Sequence, residues 1–201
     1  MSPVSEPLPA WPYPLWIAHR GAGKLAPENT LAAFQLGSTH GYRMFECDVK
    51  LSSDGLPFLL HDNTLERTSN GLGIAGELTW AALSRLDAGS WHSSAHANEA
   101  LPLLEAIAQF CQSHGCWLNI EIKPTEGLEA LTGEQVALAA AQLWADQPVD
   151  MAPLLTSFQP KALAAAQRAA PHLRRGLLMD SAWVGWQAAA TQLQCQALVC
   201  N

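Results

Sequence analysis

The sequence predicts an α/β protein built from parallel strand–helix–strand units, and three observations support this fold class. Short apolar runs alternate with helical patterns of about 10 to 15 residues, which is the arrangement of such units. The apolar runs are almost uniformly hydrophobic, as strands covered on both faces are. Hydrophobic residues make up 49% of the 201 residues and charged residues only 14%, a composition that excludes a disordered chain. The length fits one domain.

The first half of the chain contains three predicted strands, at residues 15–19, 44–51 and 57–61. Between the first two, Pro27 and Asn29 indicate a helix start, and Gly41 closes that helix. Asp54 and Gly55 stand between the second and third apolar runs, and this pair is a strong turn signal. Residues 62–100 hold scattered Gly, Ser, Asn and His with one short helical stretch at 80–86. We interpret this region as an inserted segment.

The regular pattern returns after Pro102. Four further strands are predicted, at residues 116–123, 153–158, 175–179 and 197–200. Helical patterns precede, separate or follow them, at residues 103–115, 134–144, 161–169 and 183–193. The chain therefore alternates regularly to its end, with seven predicted strands in all.

Charge and cysteine content exclude several classes of function. Eleven Lys and Arg against eighteen Asp and Glu give a net charge of −7, so we expect no nucleic-acid partner and no docking on an anionic membrane. The first sixteen residues lack the pattern of a signal peptide, and no apolar run of about 18 residues predicts a membrane span. Five cysteines without a Cys-x-x-Cys pair favour reduced thiols and a cytoplasmic location.

Charged side chains interrupt the apolar strands at few places. Glu46 and Asp48 are two residues apart and share one strand face, as do Glu121 and Lys123. His19 and Arg20 end the first predicted strand, and His61 ends the third. We predict that all of them lie near the carboxyl ends of their strands, the edge at which active sites of parallel sheets and barrels assemble.

Three converging carboxylates predict a cation site. Glu46, Asp48 and Glu121 would repel one another in a buried site unless a positive charge neutralises them. Oxygen ligands favour Mg²⁺ or Ca²⁺ over zinc. The alternative is that each acid pairs with a Lys or Arg of a neighbouring strand. That explanation suits a single buried acid better than three acids beside two cations and two histidines.

The two strand-end histidines and the two cations suggest chemistry on an anion. A lone buried histidine is more often structural, but His19 and His61 together can act as acid and base near pH 7. Arg20 and Lys123 can then hold an anionic group, most naturally a phosphate. The Gly21-Ala22-Gly23 turn adds only weak support for phosphate binding.

In their order along the chain, the motifs IAHRG, APENT, FECDVKLSSDGLPFLLHD, LDAGSW and NIEIKP resemble those of the glycerophosphodiester phosphodiesterase family, and the cytosolic bacterial members most closely. The resemblance runs from Trp11 to Asn201. It implies a TIM-type (β/α) barrel, in one domain over residues 1–201, with residues 62–100 inserted after the third strand. An eight-stranded barrel needs one strand more, so we expect this chain to lack the last βα unit.

The resemblance also implies roles for individual residues. The acid/base pair is His19 and His61. The ligands of one divalent cation, Mg²⁺ or Ca²⁺, are Glu46, Asp48 and Glu121. The substrate phosphate is contacted by Arg20 and Lys123. Glu28, in the APENT element, is expected to give structural support or to cap a helix.

The implied reaction is metal-dependent hydrolysis of a glycerophosphodiester, such as glycerophosphocholine or glycerophosphoethanolamine, to sn-glycerol 3-phosphate and an alcohol. The nucleophile is either water or the glycerol hydroxyl, and in the second case a cyclic phosphate forms first. One alternative is an inactive or truncated barrel that only binds phosphodiesters or a partner. Another is a lyase that forms cyclic phosphates from phospholipids, which the acidic composition does not favour. Headgroup preference and oligomeric state are left open.

Overall fold

A six-stranded sheet organises residues 11–200, the part of the chain that this computed structural model describes. Its strands are β1 (Met44–Leu51), β2 (Pro57–Leu59), β3 (Trp117–Ile122), β4 (Leu154–Ser157), β5 (Arg174–Met179) and β6 (Ala197–Cys200). The spatial order is β2-β1-β3-β4-β5-β6. Every neighbouring pair is parallel except β1 and β2. Residues 1–10, on which most of the signal-peptide prediction rests, and residue 201 lie outside the described residues.

The first predicted strand is wrong. Residues 15–19 contribute a single parallel bridge, between Ala18 and Phe45. Ala18 donates its N–H to the carbonyl of Met44 and accepts from the N–H of Glu46, both at 2.9 Å. The ladder does not extend, because residues 15–17 find no strand partner and the chain turns away at Arg20, whose φ is 52°.

The third predicted strand exists but runs antiparallel to β1. β2 covers only Pro57–Leu59, and its register pairs Val49 with Leu59. The Asp54-Gly55 turn joins the two strands as predicted. Gly55 has a φ of 84° and donates to the carbonyl of Ser52 at 2.9 Å. This hairpin brings the chain back along β1, and Leu60 donates its N–H to the carbonyl of Asp48 at 3.1 Å, so the next residue, His61, follows close to the middle of β1.

Six α-helices occur in residues 11–200: α1 (Leu31–Thr39), α2 (Trp80–Leu83), α3 (Leu104–Ser113), α4 (Glu129–Leu143), α5 (Pro160–Ala169) and α6 (Trp186–Gln192). α1 begins later than predicted, because Thr30 rather than Asn29 is its N-cap and accepts from the N–H of Ala33. α4 begins five residues earlier than predicted, and Gly133 lies inside it.

The sheet has one apolar face and one polar face. Phe45, Cys47 and Val49 of β1 are buried in the main hydrophobic core with Ile120 of β3. The main core also includes buried residues of the helices, among them Phe34, Ile107, Ala137 and Ala162. Side chains alternate along a strand, so the intervening residues of β1 and β3 face the opposite side. The polar side chains there are Glu46, Asp48, Lys50, Asn119 and Glu121.

Residues 62–100 carry a small core of their own. They form two short 3₁₀ turns, Ala75–Glu77 and Ser94–His96, and α2, which is shorter than the predicted stretch. Their buried apolar side chains pack with residues of β2 and its flanks in a separate cluster: Phe58, Leu60, Leu65, Ala75, Leu83, Ala88 and Leu101. No helix within residues 11–200 combines the length and apolar character that crossing a bilayer requires.

Candidate active site

Three carboxylates meet on the polar face of the sheet. Glu46 and Asp48 of β1 and Glu121 of β3 are buried, and one oxygen of each lies within 4.8 Å of the others. The register causes this convergence, because Asp48 pairs with Glu121 across the parallel strands. Glu46 is the third residue of β1, not near its end as predicted. β1 continues past the site because β2 pairs with its last three residues.

The carboxylate cluster fits a divalent cation. Each of Glu46, Asp48 and Glu121 keeps one buried oxygen that accepts no hydrogen bond: Oε1, Oδ1 and Oε1 respectively. A buried, unsatisfied carboxylate oxygen is costly and rare in folded proteins. Three converging hard oxygen donors are the ligand set that Mg²⁺ and Ca²⁺ prefer.

Burial and repulsion from neighbouring acids disfavour ionisation of Glu46 and Glu121. Burial raises the pKa of Glu46 well above its usual value, and the charge of Asp48 adds to this effect. Burial likewise raises the pKa of Glu121, again with a contribution from Asp48. A bound positive charge would therefore favour the ionised form of both glutamates.

Asn29 fixes Asp48, and the sequence analysis missed this role. Its Nδ2 donates to Asp48 Oδ2 at 2.8 Å, and its Oδ1 accepts from the backbone N–H of Asp48 at 3.1 Å. Asn29 also donates its own N–H to the carbonyl of Arg20 and has a φ of 59°. Asparagine tolerates this left-handed conformation better than most residues. That preference, together with the Pro-Glu-Asn-Thr sequence, was the available signal.

Arg20 is held by carboxylates on two sides. Its Nε lies 3.1 Å from Asp48 Oδ2 as an ion pair, and its Nη1 donates to Glu28 Oε1 at 2.7 Å. Its backbone N–H donates to Glu46 Oε2 at 2.9 Å. Glu28 therefore supports Arg20 and does not cap α1, since Thr30 does so.

Lys123 stands on the other side of the acids. Its Nζ lies 3.2 Å from Glu121 Oε1 and 3.9 Å from Asp48 Oδ1, both as ion pairs without hydrogen-bond geometry. The same Nζ lies 5.8 Å from the centre of the Phe158 ring. Pairing of the acids with cations therefore occurs, but it leaves the three buried oxygens unsatisfied.

The two histidines have different surroundings. His19 Nε2 lies 3.8 Å from Glu46 Oε2, and two thirds of the His19 side chain (66%) is exposed. Partial burial of the imidazole and the positive charge of Arg20 lower the pKa of His19. His61 Nδ1 lies 2.6 Å from Asp62 Oδ1. This contact leaves Nε2 of His61 as the nitrogen available for chemistry.

Two clefts open over this arrangement. One, of about 530 Å³, is lined by six of the seven predicted site residues, namely His19, Arg20, Glu46, His61, Glu121 and Lys123. The seventh, Asp48, is fully buried and contacts Arg20 and Lys123. The second cleft, of about 670 Å³, shares His61, Glu121, Lys123 and Phe158 with the first. The structure thus brings all seven residues together.

Comparisons with known proteins agree on one family. Residues 19–201 match the family described as "Glycerophosphoryl diester phosphodiesterase family". A glycerophosphodiester phosphodiesterase of Caldanaerobacter subterraneus is 35% identical over 164 residues, which are 82% of this chain and 66% of that protein. Bacillus subtilis YhdW is 39% identical over 120 residues, 59% of this chain and 49% of that protein. The chain thus matches about half to two thirds of these relatives' lengths.

Solved structures are similar over most of the chain. An Oleispira antarctica phosphodiesterase in complex with the product sn-glycerol-3-phosphate has a TM-score of 0.85 and 36% identity, over 94% of this chain and 75% of that one. A glycerophosphodiester phosphodiesterase from Agrobacterium tumefaciens has a TM-score of 0.70 and 27% identity, over 91% and 84%. These likenesses confirm the predicted TIM-type fold class. Within residues 11–200 the barrel sheet is open, with β2 and β6 at its two ends.

Proposed function

The chain belongs to the glycerophosphoryl diester phosphodiesterase family, and we propose that it hydrolyses glycerophosphodiesters to sn-glycerol 3-phosphate and an alcohol. The observation that carries the proposal is the set of three buried carboxylates, each with an unsatisfied oxygen, beside two cations and two histidines. The related Oleispira antarctica structure, which contains sn-glycerol-3-phosphate, supports the choice of product. Glycerophosphocholine and glycerophosphoethanolamine are the proposed test substrates.

In this proposal, Glu46, Asp48 and Glu121 hold one Mg²⁺ or Ca²⁺. When bound, the cation supplies positive charge that polarises the phosphoryl group. Asn29 keeps Asp48 in place by occupying its Oδ2 and its backbone N–H. Asp48 Oδ1 is thereby left as its free ligand atom.

Arg20 and Lys123 bind the substrate phosphate. The contacts of Arg20 with Asp48 and Glu28 use Nε and Nη1, so Nη2 remains for a phosphate oxygen. Lys123 has three ammonium donors, of which the ion pairs with Glu121 and Asp48 do not use all. Both side chains line the smaller cleft, and their charges favour a phosphodiester anion there.

His19 and His61 transfer the protons. Asp62 on Nδ1 orients His61 and leaves Nε2 for proton transfer. One histidine takes the proton of the nucleophile, and the other gives a proton to the departing alkoxide. The nucleophile is water or the glycerol hydroxyl. The larger cleft, which shares His61 and Lys123 with the smaller one, has room for the leaving alcohol.

We also propose that residues 62–100 are an inserted segment of a single domain spanning residues 1–201. Their separate hydrophobic cluster supports this division. The cytoplasmic location remains a prediction that rests on the free cysteines.

The test is a coupled assay for sn-glycerol 3-phosphate release from both substrates, with EDTA, Mg²⁺ or Ca²⁺. We expect release that requires a cation, and a loss of about 10²-fold or more in turnover for His19→Ala and for His61→Ala. The exposed His172 offers a matched control, and His172→Ala should keep full activity. Absence of release under every condition refutes the enzyme. Retained phosphodiester binding in that case would favour an inactive, binding-only barrel.

A further inference from the structure

Arg67 lies outside every motif that the sequence analysis singled out, yet it binds two carboxylates at the edge of the site. Its Nε donates to Asp62 Oδ2 at 2.6 Å, and its Nη2 donates to Asp62 Oδ1 at 2.9 Å. Its Nη1 and Nη2 donate to Glu28 Oε2 and Oε1 at 2.9 and 2.8 Å. One guanidinium thus forms a two-point contact with each carboxylate.

Each of these carboxylates holds a residue of the proposed catalytic machinery. Asp62 Oδ1 contacts His61 Nδ1 at 2.6 Å, and Glu28 Oε1 accepts from Arg20 Nη1 at 2.7 Å. A continuous chain of contacts therefore runs from His61 to Arg20, and Arg67 is its central link. Apart from Arg67, Asp62 contacts His61 and Glu28 contacts Arg20.

The exposure and charge of Arg67 indicate that its two ion pairs orient the carboxylates of Asp62 and Glu28 and add little to the stability of the fold. The Arg67 side chain is 45% exposed, and ion pairs with that exposure contribute little to folding. The hydrogen bonds from Arg67 lower the pKa of Asp62 and oppose the effect of burial on the pKa of Glu28. Both carboxylates consequently stay ionised and keep fixed directions. A planar guanidinium can make both two-point contacts at once, and an ammonium cannot.

We propose that Arg67 is a positioning residue, which holds His61 and Arg20 in one arrangement through Asp62 and Glu28. The inference rests on the proposed function, because it assigns Arg67 to the same site. In the proposed mechanism His61 transfers a proton and Arg20 binds the phosphate. Loss of Arg67 should therefore impair both steps. Misplacement of such groups by about 1 Å can cost about 10²-fold in rate.

The first test is kinetic. Arg67→Gln and Arg67→Lys should each lower kcat/KM at least about tenfold, since lysine keeps the charge and loses the paired geometry. The exposed Arg85 lies in the same inserted segment, and Arg85→Gln and Arg85→Lys should leave kcat/KM unchanged. With Arg67 present, the effects of Glu28→Gln and Asp62→Asn should be less than multiplicative. In the Arg67→Gln background they should become smaller and independent.

The second test does not require turnover. Imidazole ¹⁵N NMR at pH 8 should show His61 as the Nδ1–H tautomer in the native protein and as a mixture of tautomers in Arg67→Gln. Failure of the proposed function shows as no turnover in the native protein, and the tautomer measurement still decides the role of Arg67. An unchanged tautomer together with full activity in Arg67→Lys would overturn the proposal. If Arg67→Gln does not fold, Arg67→Lys alone carries both measurements.

Discussion

At the scale of single residues, the site depends on acids that are buried before any cation is bound. Asp48 is fully buried, but its carboxylate accepts a hydrogen bond from Asn29 Nδ2 and forms an ion pair with Arg20, and its backbone N–H donates to Asn29 Oδ1. Glu46 accepts one backbone hydrogen bond, from Arg20, and its Oε1 accepts none. Glu46 is therefore the acid with the fewest compensating contacts, and its burial should lower the free energy of unfolding of the metal-free protein.

Glu46→Gln should stabilise the metal-free protein and destabilise the metal-bound one. In EDTA at pH 7 the free energy of unfolding should rise, by on the order of 1–3 kcal/mol, because a charge without a full set of partners is removed from a buried site. With saturating Ca²⁺ or Mg²⁺ the order should reverse, because the cation stabilises the native carboxylate cluster by mass action. Chemical denaturation in both buffers measures the difference. Glu105→Gln, at an exposed position, serves as the control.

The pH dependence of this effect has a definite sign. The folded state raises the pKa of Glu46, so folding favours its protonated form. The native protein in EDTA should therefore lose stability as the pH rises above the usual glutamate range, and should recover it as the pH falls. The gain from Glu46→Gln should shrink between pH 7 and pH 4. A gain that grew on acidification would contradict burial as the cause.

At the scale of elements, local signals predicted turns and helices better than strand pairing. The Asp54-Gly55 turn was predicted correctly because its conformation depends on the residues within it. The strand at residues 15–19 was wrong because extension of a ladder depends on distant partners, and here only Ala18 finds one. The late start of α1 has a similar cause, since Asn29 is used by Asp48, 19 residues further along the chain.

The candidate site shows the same division. The seven predicted residues were found because charged and histidine side chains within or at the ends of apolar runs are unusual in sequence. Arg67 and Asn29 were missed because they lie in loops, where polar residues are ordinary, and their partners Glu28 and Asp48 are 39 and 19 residues away. Such contacts become visible only when the fold places the loops together.

The loop that follows α2 depends on one carboxylate. Asp87 accepts from the N–H groups of Gly89 and Ser90 at 2.8 and 2.9 Å, from that of Asn98 at 3.0 Å, and from the Ser90 hydroxyl. These bonds, that of the Ser90 hydroxyl first, lower the pKa of Asp87. Because the folded pKa is depressed, this contribution is present at neutral pH and is lost only as the pH falls below the usual aspartate value.

Asp87→Ala should loosen this loop without unfolding the sheet. The amides of Gly89, Ser90 and Asn98 lose their charged acceptor, so their hydrogen exchange should accelerate at least about tenfold at pH 7. Amides of β1 and β3 should exchange as before. Asp146→Ala, at an exposed position outside the loop, is the control. Unchanged exchange in Asp87→Ala would show that the loop is held by other contacts.

At the scale of the whole molecule, the two faces of the sheet have different roles: the polar face carries the candidate site, and the apolar face packs against the helices. The net charge of −7 does not favour the anionic substrate proposed above, so Arg20, Lys123 and the proposed cation would have to attract it. The apolar face carries the helices and the main core. The fold can therefore tolerate the unsatisfied carboxylate oxygens of the site, because the main hydrophobic core that stabilises it lies on the opposite face of the sheet.

The packing of α4 on α5 tests this separation. A Cβ atom on Gly133 would lie 2.1 Å from the carbonyl oxygen of Ala162, so the two helices approach more closely than any side chain permits. Gly133→Ala should lower the free energy of unfolding by about 1–3 kcal/mol through overpacking, against a helix-propensity gain of about 1 kcal/mol. The sign distinguishes the two effects, because propensity alone predicts a more stable protein.

A control variant on α4 and a measurement of cation affinity complete this test. Ala130→Val adds volume at an exposed position of α4 and should change the free energy of unfolding by less than about 0.5 kcal/mol. Well below its melting temperature, Gly133→Ala should bind Ca²⁺ or Mg²⁺ with unchanged affinity in calorimetry, because its new contact lies on the helical face of the sheet. A parallel loss of cation affinity would show that the two faces are coupled. The helical layer would then help to set the geometry of the carboxylates as well as stabilise the fold.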